Sequence, residues 1–508
     1  MTGLSEKVYL QLDMPTDEDS RSDQVRIRQA LQAMGHESIS FPLPVLSKLY
    51  PLCRDHGYSI TVSLVRREHD WAITGIEPGD TRQHHYGLAV DYGSTTIVMR
   101  LMDMNTGNLI AEEKQVNAQV SYGTDILTRI TYALESDAHK EDLHRATTGT
   151  FRALLERLQE KTAIDTKNLP AMVISGNTTM IHFLMKLDAW TVFASPYAPV
   201  CTQPGFIPGR ELNLDFDGFV YIMPSASNYI GGDIVSGLLQ LDIHKGTQTC
   251  LFFDIGTNGE LVIGNREWML AGAGAAGPAL EGYISKYGMR ADGGAIDHVK
   301  IQGDKLTYTT IGDLPPVGIC GSGIIDLLSQ MRLSGWIDIA GSLNPTASSS
   351  IQTIGGEYAA VYAYTAQGQP LTFSQTDINQ YLDTKAAAYT MMECLLDEVG
   401  TKMEDIDRLY LSGAFPAHSD LEAAITIGIF PDLPREKFVC IPNTSLEGAT
   451  ILLTDRRRLE DVKTLSEELH CIQFASVPDF IVRMQAAKFI PHTDMARYPT
   501  VAKLLKEC

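Results

Sequence analysis

Two segments of this sequence carry residues able to hold a phosphate chain and a metal ion. In Asp91-Tyr92-Gly93-Ser94-Thr95-Thr96 an apolar run ends in a carboxylate, then a glycine, then hydroxyl side chains. A carboxylate at the end of a buried strand can hold Mg²⁺, usually through water. The glycine lets the turn pass close to an anion, and the N–H and hydroxyl groups after it donate to phosphate oxygens. Asp254-Ile255-Gly256-Thr257-Asn258-Gly259 repeats the arrangement about 160 residues further on. Asp and Gly also crowd into hairpin turns for backbone reasons alone, so either segment could be a plain turn. Their matched occurrence points to two similar lobes, whose hairpins could grip a triphosphate from both sides.

Further glycine-rich segments could complete such a site. Arg408-Leu409-Tyr410-Leu411 reads as a strand running into Ser412-Gly413-Ala414-Phe415, a glycine turn ahead of a helix, which suits close approach by a ligand or simply starts the helix. Ile174-Ser175-Gly176-Asn177-Thr178-Thr179 is either a well-capped helix start or a place where Asn177 meets a phosphate. Gly231-Gly232-Asp233 opens another helix; Asp233 is a partner of the helix N-terminus, or a second carboxylate near a metal and an attacking water. Asn443-Thr444-Ser445-Leu446-Glu447-Gly448-Ala449 offers Thr444 or Ser445 as an N-cap. Cys320, in Gly318-Ile319-Cys320-Gly321-Ser322-Gly323, lacks a nearby Cys or His in sequence and reads as a buried structural thiol. His182, within the apolar MIHFLM, reads as a satisfied core histidine.

The elements that must position these residues follow from periodicity. GLAVDYGSTTIVMRLMDMNTGNLI and CLFFDIGTNGELVIGNREWML each read as strand, tight turn, strand, turn, strand. Amphipathic helices are predicted near 122–135, 139–161, 178–187, 231–241, 321–332 and 375–399; the last carries Ile378, Leu382, Ala386, Tyr389, Met392 and Leu396 at helical spacing. Residues 340–370, rich in Ser, Thr, Gly, Gln and Ala, read as an irregular loop. The first eighty residues form a separate small α/β unit: a strand at Val8-Leu10-Leu12, a helix capped by Ser22 or Asp23, a second helix from Pro44 to His56, and strands in YSITVSLV and around Trp71–Ile76. TRQHH, residues 81–85, is the linker. The expected division is therefore 1–83, a first lobe 84–245 and a second lobe 246–508, an α/β fold of two actin-like lobes behind a small α/β domain.

Composition narrows the function. The chain has 508 residues, 44% of them apolar and 20% charged, which excludes wholesale disorder. With 41 basic against 62 acidic residues the net charge is −21, and such a chain repels nucleic acid and anionic lipid as main partners. No basic, apolar leader and no long apolar run occur, so a cytoplasmic location is expected. The eight cysteines include no C-x-x-C pair, so no iron–sulfur cluster is readable in this chain.

The paired Asp-x-Gly-[Ser/Thr] hairpins resemble the phosphate-binding motifs of the acetate and sugar kinase, Hsc70 and actin (ASKHA) superfamily. More narrowly, GLAVDYGSTTIV, NAQVSYGTDILTRI, VISGNTTMIHFL, DIGTNGELVIG, AGPALEG, GMRADGGAIDHV, GICGSGIIDLL and FIPHTDMARYP resemble the ATP-dependent reductive activators of corrinoid proteins, collinearly over nearly the whole chain. The resemblance implies an ATPase, with ATP and Mg²⁺ as cofactors, that drives uphill electron transfer to Co(II) of a corrinoid methyl carrier and returns it to Co(I). It implies that Asp91 and Asp254 associate with Mg²⁺, that Gly93, Ser94, Thr95 and Thr96 contact phosphate opposite Gly256, Thr257 and Asn258, with Asn177 and Gly232 at the same site, that Gly413 and Ala414 lie under adenosine, and that Asp233 positions the hydrolytic water. The expected partners are a corrinoid protein, a separate electron donor such as a ferredoxin, and a second copy of the chain in a homodimer. Family activators commonly carry cysteine clusters that this sequence lacks, hence the expectation of a separate donor or of a domain outside this chain. The adenosine turn reads SGAFPAH where the family usually has a double glycine, which leaves a catalytically degenerate docking module as the alternative, and a small-molecule kinase as a more distant one.

Overall fold

The computed structural model describes residues 2–256, 259–274, 284–413, 418–474 and 477–507. They divide into two compact units. The first comprises Met1–Asp242 with Thr444–Glu468, and the second comprises Ile243–Asn443 with Leu469–Cys508. The chain thus enters the first unit a second time, for the helices Thr444–Thr454 and Leu459–Glu468.

In the first unit the amino-terminal segment forms a four-stranded sheet in the order Ser5–Gln11, Ser59–Arg66, Trp71–Pro78, Ile39–Ser40. The alternation that marked these strands places Val8, Leu10, Ile60, Val62, Leu64 and Ile73 in one core with Ile27 and Leu31 of the Asp23–Ala33 helix. Ser22 caps that helix by accepting from the Val25 N–H. The single helix expected from Pro44 to His56 is two short ones, Leu43–Leu46 and Leu49–Asp55.

The main sheet of the first unit runs Leu109–Val116, Thr96–Asp103, Tyr86–Tyr92, Ala171–Ser175, Phe219–Ile222, Gly205–Pro208. Its first three strands are an antiparallel meander, and Ala171–Ser175 and Phe219–Ile222 continue it in parallel. In the Asn105-Thr106-Gly107 turn of the meander, Gly107 takes φ +74° and the Asp103 carboxylate accepts from the Asn105 N–H. Leu88, Val90 and Tyr92 pack into a core shared with Phe151, Leu154 and Leu158 of the Asp137–Thr162 helix.

The second unit repeats this order. Met269–Gly274, Gly259–Gly264 and Cys250–Ile255 form the meander, followed in parallel by Arg408–Ser412 and Phe438–Ile441, with His470–Ile472 at the opposite edge. The duplication read from the two hairpins is therefore a duplication of strand order. The Gln375–Glu398 helix starts with a capping box made by Ser374 and Asp377, and it buries Ile378, Leu382, Ala386, Tyr389, Met392 and Leu396 as its spacing predicted.

Residues 340–370 correct an expectation. Instead of an irregular loop they contribute to a three-stranded antiparallel sheet, Ile351–Ile354, Glu357–Tyr364 and Pro370–Ser374. Ala359, Ala360, Val361, Tyr362 and Ala363 are all buried. Alanine-rich strands carry little β signal of their own, and tertiary burial supplies what local propensity does not. Among the described residues, no helix is long and apolar enough to cross a membrane.

Candidate functional site

In the first unit Asp91 lies at the penultimate position of strand Tyr86–Tyr92, opposite Val98 on one side and beside Ser175 on the other. It is half-buried. The turn after it needs its glycine: a Cβ on Gly93 would stand 2.5 Å from the Thr96 carbonyl oxygen. Ser94 is 8% exposed, and Thr95 and Thr96 are half-buried.

Asn117, the first residue of the NAQVSYGTDILTRI motif but given no role from sequence, holds this turn. Its Nδ2 donates to the Gly93 carbonyl at 3.0 Å, and its backbone N–H donates to the Thr95 carbonyl at 2.9 Å. Asn117 is fully buried, and its side-chain oxygen accepts from the Gln119 N–H. Gln119 in turn donates to Thr147 Oγ1 at 2.7 Å, and that hydroxyl also pairs with the Tyr92 hydroxyl at 2.8 Å. A satisfied polar network therefore lies behind the hairpin and fixes it. Burial holds the Tyr92 phenol well above its ordinary range, so it stays protonated. The sequence signals for Asn117 were its place at the head of that motif and an amide directly after an amphipathic strand.

Ser445 is the second residue the sequence left unassigned to this site. Its Oγ lies 2.8 Å from Asp91 Oδ1 and 2.9 Å from Ser175 Oγ, and the Ser175 hydroxyl is 3.1 Å from the Gly232 carbonyl. The helix Thr444–Thr454 reaches this position because it crosses the Gly232–Leu241 helix closely: a Cβ on Gly448 would stand 2.0 Å from the Ser236 carbonyl oxygen. Arg100 of strand Thr96–Asp103 ties the same helix down through Glu447 at 2.9 Å.

The other residues singled out in this unit gather nearby. Asn177 is the N-cap of the Thr178–Leu184 helix, its side chain accepting from the Met180 N–H at 2.9 Å. A Cβ on Gly231 would meet Asn177 Cα at 2.5 Å, so that glycine permits the two helix starts to touch. Gly232 opens its helix with Asp233 in the first turn, where Asp233 Oδ1 accepts from the Ile234 N–H at 2.9 Å. His182 is a core histidine: Nδ1 donates to the Thr178 carbonyl at 2.7 Å while Nε2 accepts from the Cys201 N–H, and burial lowers its pKa.

In the second unit Asp254 holds the corresponding place, paired with Glu260 across the hairpin and lying beside Ser412. Among the described residues, nothing lies within 4 Å of a Cβ placed on Gly256. Gly413 has φ +111° and its backbone lies against the Ile255 carbonyl, 2.2 Å from where a Cβ would be; no other residue fits there. It thus abuts the strand end that carries Asp254. Thr257, Asn258 and Ala414 lie outside the described residues. Cys320 is the N-cap residue of the Gly321–Leu333 helix, buried, with its thiol donating to the Ile296 carbonyl at 3.3 Å. Among the described residues the seven cysteines are free thiols.

Each unit therefore presents a carboxylate at a strand end beside a glycine turn. Oxygen donors of this kind suit a hard divalent cation such as Mg²⁺, and turn N–H and hydroxyl groups suit phosphate.

Known proteins resemble this chain over most of its length. Residues 1–83 match the RACo linker region, 86–246 the RACo middle region, and 248–502 the C-terminal domain of RACo, the ASKHA domain. The chain is 28% identical over 409 residues to the corrinoid activation enzyme RamQ of Eubacterium limosum, covering 78% of this chain and 69% of that one. It is 22% identical over 422 residues to the [Co(II) methylated amine-specific corrinoid protein] reductase of Methanosarcina barkeri, covering 76% and 73%. A solved structure, the reductive activator for corrinoid,iron-sulfur protein, superposes with a TM-score of 0.88 at 33% identity over 98% of this chain and 81% of that chain.

Proposed function

The chain belongs to the RACo family of ASKHA-domain reductive activators, and from that membership we propose that it binds and hydrolyses ATP with Mg²⁺ to support reductive reactivation of a corrinoid protein from Co(II) to Co(I). One electron passes from an iron–sulfur donor to cobalt, the cluster is oxidised, and ATP hydrolysis to ADP and phosphate offsets the uphill transfer. The electron would come from a separate iron–sulfur donor such as a ferredoxin, or from a domain outside this chain.

The observation that carries this reading is the matched pair of strand-end carboxylates, Asp91 and Asp254, at the same position of two sheets with the same strand order. In the first unit Asp91 would associate with Mg²⁺, and Gly93, Ser94, Thr95 and Thr96 would donate to phosphate. In the second, Asp254 would do the same with Gly256, Thr257 and Asn258, and Gly413 with Ala414 would support adenosine. Mg²⁺ would neutralise phosphate charge there. Asp233, in the first turn of its helix, would orient the attacking water. Nucleotide turnover would act by changing which corrinoid state is bound, since a ligand shifts an equilibrium only through its differential affinity for the two states.

The test is ATP hydrolysis by the purified chain with Mg²⁺, which should accelerate when a Co(II) corrinoid protein is added. Absence of nucleotide binding in titration calorimetry would overturn the proposal and favour a docking module without turnover.

A further inference from the structure

We propose that Ser445 is a positioning residue for Asp91, holding the carboxylate in the orientation in which it serves Mg²⁺ and ATP; this rests on the nucleotide-site reading above. Ser445 is the second residue of the Thr444–Thr454 helix, inside its first turn. Ser445 sends its hydroxyl to a carboxylate 354 residues earlier in the chain. It is 6% exposed, so water competes little for that bond. An ionised carboxylate only accepts, and it takes the one hydroxyl proton of Ser445 at 2.8 Å in a charge-assisted bond. Ser175, fully buried and next to Asp91 in the parallel register, has one hydroxyl proton of its own, which goes either to Ser445 Oγ, 2.9 Å away, or to the Gly232 carbonyl, 3.1 Å away.

The relay joins four segments: the strand that ends in Asp91, the strand that ends in Ser175, the helix that opens at Gly232, and the helix that carries Ser445. Gly232 directly precedes Asp233, so the Ser175–Ser445 pair lies between the backbone next to the water-orienting carboxylate and the metal-associated one. Gly448, one turn after Ser445, has no room for a side chain against Ser236, which is what lets the hydroxyl reach Asp91. The carboxylate's orientation therefore depends on the seating of a helix that lies far away in sequence, directly after the chain re-enters the first unit.

The experiment compares the full chain with S445A, S445T and S175A in Mg²⁺-dependent ATP hydrolysis, with melting curves alongside. S445A should lower kcat roughly tenfold, the scale of a lost charge-assisted hydrogen bond. It should raise the Mg²⁺ concentration giving half-maximal rate several-fold, and leave KM for ATP at saturating Mg²⁺ near the wild-type value. S445T, which keeps the hydroxyl, should recover most of kcat, and S175A should show a smaller loss in the same direction. Wild-type kcat and Mg²⁺ dependence in S445A would overturn the positioning role while leaving the nucleotide site standing. A loss that S445T does not repair would also overturn it, because the hydroxyl would not be the cause. A wild-type chain without Mg²⁺-dependent turnover would overturn both.

Discussion

Replacing Gly448 with alanine tests how the first unit delivers Ser445 to Asp91. The added methyl would begin 2.0 Å from the Ser236 carbonyl oxygen, 2.4 Å from its carbon and 2.6 Å from Cα. These are backbone atoms of the Gly232–Leu241 helix and cannot rotate away, so the two helices must part. Restoring ordinary contact at 3.4 Å asks for a displacement of 1.4 Å at the crossing, enough to carry a 2.8 Å hydrogen bond one turn away out of range. Overpacking of this kind costs about 1–3 kcal/mol, and loss of the bond to the carboxylate adds about 1.5–3 kcal/mol. The better helix propensity of alanine returns about 1 kcal/mol. The net is a destabilisation of roughly 3 kcal/mol, or a fall of roughly 5–10 °C in the melting temperature. Circular dichroism melting of wild type and G448A reads the stability, and ATP hydrolysis on the same samples reads the site. A G448A protein that melts with the wild type and keeps full turnover would refute both the close crossing and its link to Asp91.

Three further outcomes follow from the same contacts. N117A removes the donor to the Gly93 carbonyl and should cost about 1–3 kcal/mol while raising KM for ATP; urea unfolding and steady-state kinetics check it. Lys385 is fully buried, and its Nζ donates to the carbonyls of Ala487, Phe489 and Pro491. Burial pushes this ammonium down to about 7, yet K385M, which strands three acceptors, should lower stability by about 3 kcal/mol or more in urea unfolding at pH 7. Finally, burial, aided by the neighbouring Lys7, lowers His85 from 6.5 to about 4. Between those values the unfolded chain binds the proton and the folded chain does not, so the folded state loses up to roughly 3 kcal/mol as pH falls from 6.5 to 4. Unfolding measured across that window should show a steeper pH dependence in the wild type than in H85Q.

How much of this was legible beforehand depends on how local each signal is. The hairpins ending in Asp91 and Asp254 are written within about ten consecutive residues, as apolar alternation broken by a small-residue turn, and they form as their pattern requires. The Gln375–Glu398 helix is likewise a matter of spacing within one segment. The sheet over 351–374 escaped because three of the five consecutive buried residues of its central strand, Ala359 to Ala363, are alanine, a residue whose burial is decided by what packs on it. The contacts that hold the site together escaped for a different reason: Asn117 to Gly93 and Ser445 to Asp91 join segments 24 and 354 residues apart, and nothing in either segment names its partner. The glycines carry an intermediate kind of information. Gly413, at φ +111° against Ile255, and Gly448, against Ser236, are visible as glycines, but only the neighbouring backbone explains them.

The central claim, that this chain uses ATP to drive corrinoid reduction, is tested most directly by following the cobalt. A Co(II) corrinoid protein, a reduced iron–sulfur donor and this chain are mixed anaerobically with Mg²⁺ and ATP, and the optical spectrum of the corrinoid is recorded over time. The account predicts ATP-dependent appearance of Co(I) with the wild-type chain and none with D254A, whose melting temperature stays close to wild type. Co(I) forming equally well without ATP, or with D254A, would contradict it.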